Sequence, residues 1–243
     1  MAKFPKKPEE IFPEITADFS RVFGNDLVSV ILYGSAAGDD YRPGKSDINF
    51  LVALSEKGID NLESGIEMIS KWRKRMVAVP LVMTKSFINS SLDSYPIEFL
   101  NIKRTYVTVF GEDVLKELSF KPDLLRLQCE RELKGKTLHL REGLLRTEGK
   151  EKKIRELIKM SFTAFISIFN ALLYLKGIKM PGERREIIRS VAGEFGVNPE
   201  VFLKCADIKE DRGNFSSYEV KKIFKAYLME VRKLSKVVDE LEV

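Results

Sequence analysis

Apolar and polar positions alternate with two different periods along this chain, and the period changes once for good. After Lys7-Pro8-Glu9-Glu10, Ile11, Ile15, Phe19 and Val22 recur at helical spacing as far as Gly24, which predicts a helix with proline and acids in its first turn. Leu27–Tyr33 (LVSVILY) and Ile48–Leu54 (INFLVAL) are short, β-branched and apolar on both faces, as central strands of a covered sheet are. Between them the pattern turns polar. A helix is expected over Asp60–Arg73, with Asp60 and Glu63 as a capping box, then a strand over Val77–Met83 and a short helix from Thr84. Two further strands, Ile97–Leu100 and Tyr106–Phe110, complete an α/β region that ends near Leu118.

From Lys121 onward the strand signal is gone. Leu124, Leu127, Leu138 and Leu145 suggest a long helix, and Ile154, Leu157, Ile158, Phe165, Phe169, Leu172 and Leu175 form a strong apolar stripe stopped by Gly177. Pro181 and Asn198-Pro199 open shorter helices, and Ser216 with Glu219 caps a last one carried by Val220, Ile223, Tyr227, Val231, Leu234, Val238 and Leu241. The expected organisation is an α+β domain over residues 1–118 followed by an all-α helical bundle over 119–243.

Composition narrows the function classes. With 44% hydrophobic and 32% charged residues among 243, the chain reads as globular. Met160–Leu175 is interrupted by Ser161, Thr163, Ser167 and Asn170 and reads as a buried helix rather than a bilayer span. The lysine- and proline-rich start has no apolar stretch after it, so no secretory signal and a cytoplasmic location are expected. Cys129 and Cys205 stand apart without metal-ligand spacing, and a single histidine, His139, leaves no histidine-based relay or zinc cluster. A formal charge of +5 permits anionic partners, but the basic residues lie beside acids on helices, which argues against a nucleic-acid groove.

One stretch carries candidate chemistry. Gly38–Ser46 (GDDYRPGKS) superficially resembles a phosphate-binding P-loop, but Asp39 sits where that motif needs glycine, and a strand follows where it needs a helix. In a wider frame a strand ends in Gly34-Ser35, a loop follows, and Ser46-Asp47-Ile48-Asn49 enters the next strand. Residues at i and i+2 of a strand share a face, so Asp47 and Asn49 point together toward the strand start. Glycine lets backbone approach a phosphate, serine donates to its oxygens, and carboxylate oxygens on one face suit a hard divalent cation.

These residues resemble the nucleotidyltransferase superfamily that includes DNA polymerase beta, in particular its minimal and aminoglycoside nucleotidyltransferase branch. The matching segments are Leu32-Tyr33-Gly34-Ser35 and Ser46-Asp47-Ile48-Asn49, with Tyr95-Pro96-Ile97-Glu98-Phe99-Leu100 resembling the strand that bears a third carboxylate and Val109–Asp113 the stretch after it. The resemblance implies a nucleotidyltransferase-fold mixed sheet, Mg2+, and a nucleoside triphosphate, ATP, as co-substrate. It implies transfer of a nucleoside monophosphate to an acceptor hydroxyl on a small molecule or protein. Asp47, Asn49 and Glu98 would hold metal and perform catalysis, with Asp93 the alternative to Glu98, while Gly34, Ser35, Arg42, Lys45 and Ser46 would position the phosphates. Asn49 departs from the pattern, since an amide stands where the family has a second carboxylate, and this weakens a two-metal site. The competing reading is a catalytically inactive relative serving as a nucleotide-binding or protein-interaction module. Either reading is compatible with a homodimer.

Overall fold

A computed structural model describes residues 4–38 and 41–243. Asp39, on which the rejection of a P-loop partly turns, lies outside the described residues, as do Met1–Lys3 and Asp40. The chain divides into two compact units, Met1–Phe120 and Lys121–Val243.

In the first unit a short 3-10 turn at Pro8–Ile11 leads into helix α1 (Phe12–Phe23), which ends at Gly24 with φ +52°. Strand β1 (Leu27–Tyr33) follows, then β2 (Asn49–Leu54), helices α2 (Glu56–Asp60) and α3 (Ile66–Arg73), strand β3 (Leu81–Thr84), helices α4 (Lys85–Ser90) and α5 (Pro96–Arg104), and strand β4 (Tyr106–Gly111). The sheet order is β3-β2-β1-β4: β1 is antiparallel to β2 and β4, and β2 is parallel to β3. Alternation along β1 and β2 sends Val30, Leu32, Phe50 and Val52 into a core with Ile11 of the 3-10 turn, Ile15, Phe19 and Phe23 of α1, and Met68 and Trp72 of α3. Tyr33, Asn49, Ile31 and Leu51 therefore share the opposite face.

Asp18, an acid on the inner side of α1, ties that helix to α3. Its carboxylate accepts from Trp72 Nε1 at 3.0 Å and pairs with Lys71 at 3.2 Å and Arg21 at 2.6 Å. Burial pushes its acidity one way, but the hydrogen bonds from Lys71 and Trp72, with the charges of Lys71 and Arg21, prevail and hold the carboxyl below its ordinary value.

Several expected elements differ. The strand expected over Val77–Met83 is only Leu81–Thr84, preceded by an isolated bridge at Val77, and the helix expected to open at Pro181 begins at Arg184 with Glu183 as its N-cap. Asp60 caps nothing; it ends α2, whose N-cap is Ser55, with Oγ accepting from Gly58 N at 3.1 Å. Ile97–Leu100 is not a strand but the first turns of α5, with Pro96 at its start, Glu98 in the first turn and Lys103 and Arg104 in the last. Proline at a helix entrance and acids before bases along the axis are helix-favouring features, and they outweigh the local apolar run.

The second unit is a bundle of α6 (Pro122–Arg146), α7 (Glu151–Leu175), α8 (Arg184–Phe195), α9 (Pro199–Lys209) and α10 (Ser217–Asp239). Asn198 and the Ser216–Glu219 capping box start α9 and α10 as their residue types dictate. Among the described residues α7 alone has the length and hydropathy to cross a membrane. Its Ile158, Phe162, Phe165, Phe169 and Leu172 are buried, and it packs on α6, α8, α9 and α10, as the central helix of a bundle does. Aromatic edges meet there, Phe169 on Phe202 at 5.2 Å and Phe165 on Tyr227 at 5.5 Å between ring centroids. Cys205 is buried beneath them, and burial pushes its thiol up, the condition of an inert structural cysteine.

Candidate functional site

The feature that organises the site is the end of β1. Gly34 has φ +77°, a left-handed conformation that lets the chain leave the strand abruptly into the 3-10 turn Gly34–Ala37. Its N–H donates to Thr105 O at 3.1 Å, anchoring the turn to the start of β4. Tyr33 pairs with Asn49 across the β1–β2 ladder, and a Cβ built on Gly34 would lie 3.8 Å from Asn49 Nδ2. The Asn49 amide thus stands against the turn. Ser35 is exposed on it.

The loop that returns to β2 closes on itself. Arg42 N donates to Ser46 Oγ at 3.0 Å, and Lys45 N and Ser46 N both donate to Arg42 O. Ser46 therefore has a local structural task, while its own proton remains available to donate. The side chains of Arg42 and Lys45 are exposed and have no ion pair among the described residues. Asp47 is exposed as well, and its carboxylate has no hydrogen-bond or ion partner among the described residues. An exposed carboxylate with no partner among the described residues has its oxygens open to solvent, where a hard cation could reach them.

Glu98 arrives differently from the expectation. It is exposed in the first turn of α5, and no strand between β3 and β4 carries it toward β2. Asp93, the alternative, lies in the turn before α5, where it accepts from Ser94 Oγ at 2.9 Å. The backbone beside β2 on the β3 side is instead the segment at Val77: Ile48 N donates to Met76 O at 2.8 Å and Ala78 N to Ile48 O at 3.0 Å. One step beyond the Ile48–Val77 bridge, the chain neighbouring Asn49 is Ala78, whose methyl group offers no ligand atom. Among the described residues no group of three or more His, Cys, Asp or Glu could hold a metal ion. One carboxylate and one amide oxygen suit a single magnesium ion that takes its remaining ligands from phosphates and water; they do not suit a pair of ions.

The sequence reading left out the tyrosines of this face. Tyr33 pairs with both Asn49 and Tyr106, so the three side chains form a row across β2, β1 and β4. Tyr106 donates its hydroxyl to Asp113 Oδ2 at 3.0 Å, and burial raises the pKa of Tyr33. The available signal was position: Tyr33 immediately precedes Gly34, and antiparallel pairing to Asn49 follows once the two strands are joined by a returning loop.

No protein-family model matches this sequence, and no curated protein matches it. Among solved structures, the chain is similar to that of spectinomycin adenyltransferase AAD(9) from Enterococcus faecialis with ATP and spectinomycin, with a TM-score of 0.50 and 13% identity over 93% of this chain and 99% of that one. The architecture is accordingly a nucleotidyltransferase-type α+β fold, a mixed four-stranded sheet with helices followed by a helical region.

Proposed function

We propose that this chain binds a magnesium-bound nucleoside triphosphate, ATP, at the joined ends of β1 and β2. We further propose that it transfers the nucleoside monophosphate to a hydroxyl of a small-molecule acceptor, releasing pyrophosphate. The observation that carries this reading is the left-handed turn at Gly34 standing against Asn49, with Asp47, exposed and without a partner among the described residues, two residues before it. The fold shared with an adenyltransferase that was solved with ATP and spectinomycin supports the choice of nucleotide and acceptor.

Each residue has a distinct task in this reading. Ser35 and Ser46 donate hydroxyl protons to phosphate oxygens, while Arg42 and Lys45 offset phosphate charge. Asp47 and the Asn49 carbonyl hold the magnesium, which when bound neutralises charge on the triphosphate. The acceptor's proton falls to Glu98, which would reach it from the N-terminal turn of α5. With an amide in place of a carboxylate at 49, transfer should be slow, by roughly hundred-fold or more, the usual cost of removing one electrostatic element.

A second reading, a non-catalytic nucleotide-binding module, is favoured by the lack of any three-acid group among the described residues. Magnesium-dependent pyrophosphate release with each of four nucleoside triphosphates, with and without spectinomycin, separates the two. Turnover by the parent chain that disappears in Asp47→Ala and drops in Glu98→Gln supports transfer. A silent parent that binds ATP, with turnover gained in Asn49→Asp, supports the module. Absence of saturable nucleotide binding in the parent overturns both.

A further inference from the structure

The second unit contains a cationic groove lined by none of the residues assigned above to nucleotide binding. It lies along the seam of α6 and α10, with a volume of about 370 Å³, and Lys134, Leu138 and Arg141 line it from one helix and Arg232, Lys236 and Asp239 from the other. The spacing is i, i+4, i+7 on both helices, so each trio occupies one face. Lys134 Nζ meets Asp239 Oδ1 at 2.9 Å and closes one part of the groove. Seven residues further along α6 is Arg141, and seven residues back along α10 is Arg232; seven helical residues span about 10 Å. Since both arginines line the same small cavity as the Lys134–Asp239 pair, the helices run in opposite senses and the two guanidinium groups share the far end.

The charges there are out of balance. Lys134 is satisfied by Glu130 at 2.5 Å as well as by Asp239, and Lys236 lies 4.0 Å from Glu240. Arg141 and Arg232 have neither a hydrogen bond nor an ion pair among the described residues, so two like charges line one end of the cavity with no protein acid between them. An anion between them would relieve that repulsion, and the planar fork of arginine matches the oxygens of phosphate in paired hydrogen bonds. Leu138, 62% exposed in the same groove, offers an apolar surface to carbon atoms next to such a group. The volume suits a small ligand rather than a polymer.

We propose that the α6–α10 groove binds a phosphate dianion, free or as the end group of a small phosphate monoester, between Arg141 and Arg232. The site is independent of the nucleotide reading above, and the test keeps them apart. The full chain is titrated with inorganic phosphate, with glycerol 3-phosphate, and with chloride at matched ionic strength, following backbone amide shifts by NMR. Saturable shifts within 134–141 and 232–239 are expected with both phosphates. Arg141→Gln and Arg232→Gln should each weaken binding about tenfold or more, the two lysine replacements less, and Asp47→Ala not at all. Tighter binding of glycerol 3-phosphate assigns the monoester, and equal binding assigns free phosphate. Because both guanidinium groups are exposed and unbonded, the variants should melt with the parent, so loss of binding cannot be ascribed to unfolding. Equal shifts with chloride, unchanged affinity in both glutamine variants, or shifts confined to residues 34–49 would overturn the proposal.

Discussion

Replacing Asn49 by aspartate tests the geometry of the β1–β2 mouth without requiring any turnover. Asp47 lies two residues before the first residue of β2, Asn49; if the extended geometry of the strand continues back to it, the two side chains leave the backbone about 7 Å apart on one face. Two carboxylates at that separation repel by about 0.6 kcal/mol in a water-like medium and about 2.4 kcal/mol at an effective dielectric constant of 20. Asp47 is exposed, which favours the lower part of the range, about 1 kcal/mol. For a unit of this size that corresponds to a fall of roughly 4 °C in melting temperature. Magnesium at ten times its dissociation constant would return about 1.4 kcal/mol to a site that binds it only when folded. Calorimetric melting of parent and Asn49→Asp, each with EDTA and with excess magnesium, is the assay. The variant should melt lower than the parent in EDTA and recover in magnesium, with a smaller magnesium effect on the parent. If magnesium shifts both proteins equally, or the variant is unaffected in EDTA, positions 47 and 49 do not converge on one cation.

Two other expectations concern what holds the first unit in shape. Asp18→Ala should cost about 2–3 kcal/mol, because it leaves Trp72 Nε1 buried without its acceptor and strips Lys71 and Arg21 of their partner. Since the folded carboxyl is more acidic than the unfolded one, its contribution is present above pH 4 or so and lost as pH falls through the lower, folded value. Urea titrations across pH 2–7 should therefore show a shallower acid decline for Asp18→Asn than for the parent. Gly111→Ala should cost about 2–5 kcal/mol, since Gly111 has φ +76° and a Cβ there would come within 2.0 Å of Val28 O. A melting temperature within a degree or two of the parent would show that the end of β4 can shift freely.

The fold was readable where local pattern and tertiary context agree. Residues 27–33 and 49–54 are apolar on both faces and became the central antiparallel pair, and the capping residues Ser216 and Asn198 act where their chemistry places them. It was misread where two signals conflict. Ile97–Leu100 looks β-like over four residues, but Pro96 and the basic Lys103-Arg104 frame a helix, and the longer pattern wins. On α6 the leucines mislead: Leu127, Leu138 and Leu145 are 52%, 62% and 81% exposed, and the buried ladder is Leu125, Cys129, Leu133, Thr137 and Leu140. Polar members such as Thr137, whose hydroxyl donates to Leu133 O, hide that ladder from any count of apolar residues. At the site, the pairing of Asn49 with Tyr33 follows from strand order. The presence of Ala78 beside Asn49 does not, because a parallel partner is joined through α2, α3 and intervening turns, and register across such a connection is not written in either strand.

The single tryptophan of the chain gives this two-unit protein a built-in spectroscopic asymmetry. Trp72 is 1% exposed and hydrogen-bonded to Asp18 in the first unit, while the second unit, which holds helices α6 to α10, contains no indole. Indole emission on selective excitation near 295 nm therefore watches one unit unfold, and ellipticity at helix wavelengths is weighted toward the other. Coincident traces in a denaturant titration would mean that the units share one cooperative transition, and separated traces would let the energetics of each be read from an unlabelled sample.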